Sequence, residues 1–144
     1  MQCTGSLWRS YFLLYLQEDR VMNTALEESR DHWQDTVNIL EKYKGASYLL
    51  GSNSQTIVID ETLALMVSFD TEHCACCQEY SCFSTEINTC PLEKHGYGCM
   101  VFDSPWNWFA AYADKSYVID NELIKRAKYM LNAVIDTIKK EEEK

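Results

Sequence analysis

Cysteine and histidine side chains, which bind metals and act as nucleophiles, are concentrated in the middle of this 144-residue chain. The segment contains His73, Cys74, Cys76, Cys77, Cys82, Cys90, His95 and Cys99. Cys74 and Cys77 are spaced so that one tight turn can present two thiolates to a zinc ion. Cys90 and His95 follow at a spacing similar to that of the second ligand pair in zinc fingers. Cys99 is a rival for the fourth position. We therefore predict a structural zinc site, because a closed set of cysteine and histidine ligands leaves no open position for water.

The same cysteines permit three other interpretations. They can be buried as small hydrophobic side chains, although six cysteines between residues 74 and 99 exceed the usual density. They can form a disulfide framework in an exported protein, but the odd total of seven and the lack of a signal-peptide pattern argue against it. A nucleophilic cysteine, such as Cys99 beside His95 or His73, would make the protein an enzyme.

Aromatic rings form a second concentration of functional side chains, between residues 97 and 117. They belong to Tyr97, Phe102, Trp106, Trp108, Phe109, Tyr112 and Tyr117. We take Trp106, Trp108 and Tyr112 as candidates for an anchor that binds a protein partner, or for walls that stack on a planar ligand such as a nucleobase. The competing interpretation is that these rings pack in the core.

Acidic residues outnumber basic ones by 22 to 13, which gives a net charge of −9. A surface of this sign repels a phosphate backbone, so we expect no direct nucleic-acid binding. Glu27, Glu28, Asp31 and Asp35 fall on a predicted helix, and we expect them to bind a protein partner with a basic surface. The alternative is a solvated helix face that only keeps the protein soluble.

Helical periodicity at the two ends of the chain predicts the elements that position these residues. Apolar side chains recur at helical spacing over residues 6–44. A capping-box signal at Thr24 and Glu27 leaves open whether this stretch is one helix or two. A final helix is expected after Asp120 or Asn121. Its apolar stripe comprises Leu123, Ala127, Met130, Leu131, Val134 and Ile138.

Three short segments, 47–50, 56–59 and 62–69, are rich in β-branched, leucine and aromatic residues and predict antiparallel strands. Residues 97–102 suggest a further strand, and residues 106–112 fit either a strand or a helix. The predicted fold is therefore α+β, in which an N-terminal helix or helices and a C-terminal helix pack on a small antiparallel sheet, with the cysteine-rich segment inserted between strands.

The length of the chain fits one domain over residues 1–144. Its expected divisions are a helical part (1–45), strands (46–70), the Cys/His-rich segment (71–99), a strand or aromatic region (100–119) and the C-terminal helix (120–144). No apolar run is long enough to span a bilayer, so we expect a cytoplasmic protein without membrane association. A homodimer through the apolar stripe of the N-terminal helix is compatible with this pattern.

No serine nucleophile motif, phosphate-binding glycine loop, zinc-protease motif or EF-hand loop occurs in the sequence, which weakens the case for an enzyme. The sequence favours a small acidic interaction protein that binds, and inhibits, a basic protein that handles nucleic acid. Small acidic inhibitors from phages and mobile elements offer an analogy. The two alternatives are a protein that binds a nucleotide-like ligand in an aromatic pocket and an enzyme with a Cys–His pair.

Overall fold

The computed structural model describes residues 11–51, 55–69, 90–98 and 103–143, with side chains from residue 24 onward. These residues form four helices and one three-stranded antiparallel sheet, which confirms the α+β prediction. The cysteines at positions 74–82 lie outside the described residues. Residues 97 and 98 are not in a strand, and residues 99–102 are outside the described part. The predicted insertion of a cysteine-rich segment between two strands therefore stays a prediction.

Helix α1 runs without interruption over Tyr11–Lys42, which decides between the one helix and the two that the sequence allowed. Thr24 lies inside this helix and is not a cap, because residues 17–24 contain no glycine or proline to break the helical hydrogen bonding. Buried side chains at helical spacing then hold the C-terminal half against the rest of the protein: Leu26, Trp33, Val37 and Leu40. Gly45, with φ of 95°, turns the chain away after the helix.

The sheet consists of β1 (Leu49–Leu50), β2 (Thr56–Asp60) and β3 (Leu65–Ser68), in that order. Ile57 pairs with Val67, and both are buried. Residues directly opposite each other on paired strands point to the same face of the sheet, here the face toward the core. At the turn between β2 and β3, Asp60 accepts hydrogen bonds from the backbone N–H and the hydroxyl of Thr62, at 3.0 and 2.7 Å. The three predicted strand segments are thus confirmed: the first and third strands are shorter than predicted, and the second extends one residue further, to Asp60.

A short helix, α2 (Pro91–Lys94), precedes two longer ones, α3 (Pro105–Ser116) and α4 (Asn121–Glu142). Residues 106–112, for which strand and helix were both open, belong to α3. Ser104 caps the first turn by accepting a hydrogen bond from the Asn107 N–H at 3.2 Å, and Pro105 suits the first helical position. Local capping chemistry therefore outweighs the β-propensity of the aromatic residues that follow it. Within the described part of 100–119, the strand expected there is limited to an isolated bridge between Val118 and Ser47.

Helix α4 is the element against which α1, α2 and α3 pack. Of its predicted apolar stripe, Leu123, Ala127, Met130, Leu131 and Val134 are buried and Ile138 is partly buried. Complete burial of a side chain such as Leu123 stabilises the fold by about 1.5–3 kcal/mol. On the other side of the core, Phe109 of α3 meets Trp33 and Phe69 edge to face, each at 5.2 Å between ring centroids. These rings join α1, the end of β3 and α3.

Candidate functional sites

The acidic residues predicted to bind a partner lie together on the outer face of α1. Glu27, Glu28, Asp31 and Asp35 are all exposed. At about 100° of rotation per residue, they occupy an arc of about 100° around the helix axis. The buried residues of α1 lie on the other side, against the core. We call these four residues the acidic face; the structure brings them onto one surface, as the sequence predicted.

Few cations neutralise the acidic face. Arg30 lies 3.3 Å from Asp31, and both side chains are well exposed, so this pair contributes little to stability. Among the described residues, no basic side chain forms an ion pair with Glu27, Glu28 or Asp35. The acidic face is therefore a source of negative potential that is strongest at low ionic strength.

The backbone beneath the acidic face is held in place by three kinds of contact. Trp33 is 3% exposed and packs on Phe109. The imidazole Nε2 of His32 hydrogen-bonds the carbonyl oxygen of Ser68 at the end of β3, at 2.8 Å. Glu41 forms an ion pair with Lys128 of α4 at 2.9 Å, but both side chains are about half exposed, so this contact adds little. A partner that binds this face would therefore meet a surface whose backbone is already positioned.

The three aromatic candidates on α3 make different contacts. Trp106 donates its indole N–H to the carbonyl oxygen of Phe69 at 2.7 Å and so belongs to the junction with β3. Trp108 and Tyr112 lie elsewhere on α3, where the guanidinium of Arg126 stacks on both rings at 4.4 and 4.7 Å from their centroids. All three side chains are partly buried, so they combine the packing role and the exposed role that the sequence presented as alternatives.

Tyr112 is committed to a structural hydrogen bond. Its hydroxyl donates to Asp120 at 2.5 Å, and this bond together with burial raises the pKa of the tyrosine. Burial on its own would raise the pKa of Asp120, but the hydrogen bonds that it accepts from Tyr112 and from the Leu123 N–H lower it. Tyr112 therefore helps to hold the cap of α4.

A wide cleft of about 1880 Å³ opens beside Trp106 and Trp108. It is lined by Glu41, Lys44, Gln55, Asp103, Trp106, Asn107, Trp108, Ala111, Asn121, Ile124, Lys125, Lys128, Tyr129 and Asn132. The exposed side of α4 supplies much of the lining, because Asn121, Lys125, Lys128 and Asn132 recur at helical spacing on one face. The end of α1 and the first half of α3 complete the walls.

Arg126 fixes the position of Trp108 in this cleft. Its Nε donates to Glu122 one turn earlier, at 2.7 Å, and its Nη1 donates to the carbonyl oxygen of Trp108 at 2.8 Å. The rings of Tyr129 and Trp108 pack edge to face, at 5.2 Å between centroids with an angle of 84°. We did not predict Arg126, Lys125 or Tyr129 as site residues from the sequence. Their spacing on the exposed side of α4 was a usable signal, but their partner Trp108 is far from them in sequence.

Of the predicted zinc ligands, only Cys90 and His95 are among the described residues. Cys90 is buried and precedes α2. His95 follows α2, and its Nε2 lies 2.6 Å from an oxygen of Glu141 in α4. Cys74, Cys77 and Cys99 lie outside the described residues, as does His73 of the alternative Cys–His pair. Within 24–51, 55–69, 90–98 and 103–143, no group of three or more potential ligands is placed to hold a metal ion.

Comparisons of this chain with protein-family models, curated proteins and solved structures find no match. Among the helices of the described residues, none has both the length and the apolar character needed to cross a membrane.

Proposed function

We propose that this protein is an interaction protein whose acidic face binds a basic surface on a protein partner that handles nucleic acid, and inhibits it. The observation that carries the proposal is the exposure of four carboxylates on one face of a single helix, with one exposed arginine beside them. Such an arrangement presents regularly spaced negative charge, as a nucleic-acid backbone does. The positive charges of a phosphate-binding surface on the partner would be complementary to these carboxylates.

The placement of the four carboxylates supports this proposal over simple solvation. Glu27 and Asp31, and likewise Asp31 and Asp35, are one helical turn apart, and like charges at this spacing destabilise a helix by a few tenths of a kcal/mol. The helix tolerates this cost because its opposite side is buried in the core. A favourable interaction with a cationic partner would relieve the repulsion on binding.

The test is a pull-down from native lysate with the wild type and with the triple variant Glu27→Lys, Glu28→Lys and Asp31→Lys. We expect the wild type to retain basic nucleic-acid-binding proteins at about 0.1 M salt and to release most of them at about 0.5 M, because exposed charges are screened over shorter distances there. The triple variant should retain at least tenfold less of the same proteins. Adding the wild type to a retained protein should lower its affinity for nucleic acid.

The matched control reverses three exposed acids elsewhere, at Glu61, Asp114 and Glu143, and so makes the same change in net charge. This control should retain partners as the wild type does. Equal loss of partners in both triple variants would show that net charge alone controls binding, and unchanged retention by the acidic-face variant would remove that face from the interaction. Circular dichroism checks that both variants keep their helical content.

A structural zinc ion is a second part of the proposal. Support comes from His95, one ring nitrogen of which is bonded to the carboxylate of Glu141. Histidines that bind zinc commonly have their other nitrogen held in this way by a carboxylate. Cys90 lies five positions earlier, at the other end of α2. A zinc ion on this pair and on the cysteines before it would join the chain around α2 to the cysteine-rich segment.

A further inference from the structure

A corner formed by two aromatic rings and a lysine lies in the cleft beside α4, where Trp108 is partly buried and Tyr129 is exposed. Tyr129 is 47% exposed although it is a large ring. It stands almost perpendicular to Trp108, at 5.2 Å between centroids, so the two rings form two sides of a corner. The ammonium of Lys125, one turn before Tyr129, lies 5.9 Å from the centre of the Trp108 ring. We call Trp108, Lys125 and Tyr129 the aromatic corner.

The lysines of this cleft are not all neutralised. Lys128 forms an ion pair with Glu41 at 2.9 Å. Among the described residues, neither Lys44 nor Lys125 forms an ion pair. Two cations without carboxylate partners on one concave surface are a notable feature in a protein with a net charge of −9. Together with Lys128 they outnumber the two carboxylates that line the cleft, Glu41 and Asp103, so the cleft has a net charge of +1 and favours an anion.

We propose that the aromatic corner binds a nucleoside phosphate, with the base against Trp108 and Tyr129 and the phosphates beside Lys125 and Lys44. A planar ring can stack on one wall of the corner while its edge faces the other wall, which is the favoured geometry of aromatic groups. Stacking of a base on an aromatic side chain is insensitive to the identity of the base. The ammonium of a lysine binds phosphate as a point charge.

Contacts between α3 and α4 hold the corner in position. Arg126 holds Trp108 from one side through its stacked guanidinium and a 2.8 Å hydrogen bond to the Trp108 carbonyl oxygen. The indole therefore loses little freedom when a base packs against it, which favours binding. The cleft exceeds the roughly 300–1,000 Å³ that is typical of small-molecule sites, so the ligand would fill only the part near the corner. This site uses α3, α4 and Lys44 in the turn after α1, and it contains no residue of the acidic face.

Isothermal titration calorimetry with ATP, adenosine and tripolyphosphate, in buffer with a chelator, tests the assignment. We expect saturable binding of ATP, with adenosine and tripolyphosphate each weaker by about tenfold or more, because each lacks one half of the recognised chemistry. Lys125→Gln should weaken ATP about tenfold and leave adenosine unchanged. Tyr129→Ala should weaken ATP and adenosine alike. Tyr129 is exposed, so its variant is expected to fold, and circular dichroism confirms this.

The matched control is Lys139→Gln, an exposed lysine of α4 that does not line the cleft, and it should bind ATP as the wild type does. The assignment is overturned if ATP gives no saturable heat at millimolar concentration. It is also overturned if Lys125→Gln and Tyr129→Ala bind ATP as the wild type does, or if tripolyphosphate binds as tightly as ATP. Tight binding of a single-stranded oligonucleotide without binding of ATP would point to a different ligand and would also contradict it.

Discussion

Gly98 shows how closely the chain around α2 is packed. A Cβ atom at this position would lie 1.8 Å from Glu93 Oε1, 2.8 Å from its Cδ and 3.0 Å from its Cα. Glu93 Oε1 is buried and has no hydrogen-bond partner among the described residues. The absence of a side chain at Gly98 therefore allows the chain after α2 to pass close to Glu93, and a larger residue has no room there.

We predict that Gly98→Ala lowers the free energy of unfolding by about 1–3 kcal/mol, because the added methyl group overpacks this contact. Removal of the colliding carboxylate in Glu93→Ala should restore part of that loss in the double variant. Urea denaturation of the wild type, the two single variants and the double variant measures this coupling. Strictly additive effects of the two substitutions would contradict the close contact.

Gly96 provides a comparison within the same loop. Its φ of 84° is in the left-handed region, but nothing lies within 4 Å of the position of an added Cβ. Gly96→Ala should therefore cost about 1 kcal/mol from backbone strain alone. Because no collision with Glu93 is involved, Glu93→Ala should not rescue it. Gly98 is thus required because a side chain would collide with Glu93, and Gly96 because of its positive φ.

At the scale of the elements, α4 depends on a cap that ties it to α3. Asp120 accepts a hydrogen bond from the Leu123 N–H at 2.9 Å with one oxygen and from the Tyr112 hydroxyl at 2.5 Å with the other. The first bond satisfies an N–H group that the start of a helix leaves without a partner. The second joins the start of α4 to the middle of α3. The carboxylate of Asp120 therefore both caps the first turn of α4 and ties α4 to α3.

We predict that Asp120→Ala lowers the free energy of unfolding by about 1–2 kcal/mol near neutral pH. The folded state lowers the pKa of Asp120, so its charged form stabilises the protein fully above the unfolded pKa of about 3.9. This stabilisation is lost as the pH falls through the lower pKa of the folded state. The stability difference between the wild type and Asp120→Asn should therefore be larger at pH 6 than at pH 3.

Urea denaturation at both pH values measures that difference. Asp114→Asn, at an exposed position of α3, is the matched control and should change stability by less than about 0.5 kcal/mol at either pH. A difference between wild type and Asp120→Asn that stays constant with pH would mean that the charge of Asp120 does not stabilise the fold.

At the scale of the whole molecule, the two proposed binding surfaces differ in charge. The acidic face on α1 carries carboxylates without basic partners apart from the exposed Arg30, and the cleft beside α4 carries two lysines without acidic partners among the described residues. The overall charge of −9 therefore describes neither surface by itself. A protein with this distribution can attract a basic macromolecule to one side and a small anion to another.

The proposed zinc ion also belongs to this scale, because its ligands would join distant parts of the chain. We expect the purified protein to contain about one zinc ion per chain and to lose thermal stability when a strong chelator removes it. Cys74→Ser should reduce the zinc content sharply. Cys82→Ser, at a cysteine outside the predicted ligand set, should retain it. A metal-free protein with an unchanged melting temperature would end the zinc proposal.

Local patterns were sufficient to predict much of this fold. The spacing of Leu123, Ala127 and Val134 identified α4 and its buried side, and Asp120 marked where it begins. The richness in β-branched, leucine and aromatic residues identified the three strands. The exposure of Glu27 and Asp35 followed from the position of Trp33 and Val37 on the opposite side of the same helix. In each case the residues that decide the secondary structure and the buried side lie within one short segment of the chain.

Only the tertiary structure decided which aromatic residues share a surface. The sequence grouped Trp106, Trp108 and Tyr112 because they are close along the chain; in the structure Trp106 and Trp108 line one cleft, and the hydroxyl of Tyr112 bonds Asp120. The aromatic corner and the lysines of the cleft come from the end of α1, from α3 and from α4. Helical periodicity determines which side of a helix is buried; it carries no information about which residues of another helix lie opposite. The sequence by itself therefore determined the positions of most elements and of the acidic face, but it left open the continuity of α1 and the conformation of residues 106–112. Packing of α1 and α3 on α4 created the cleft.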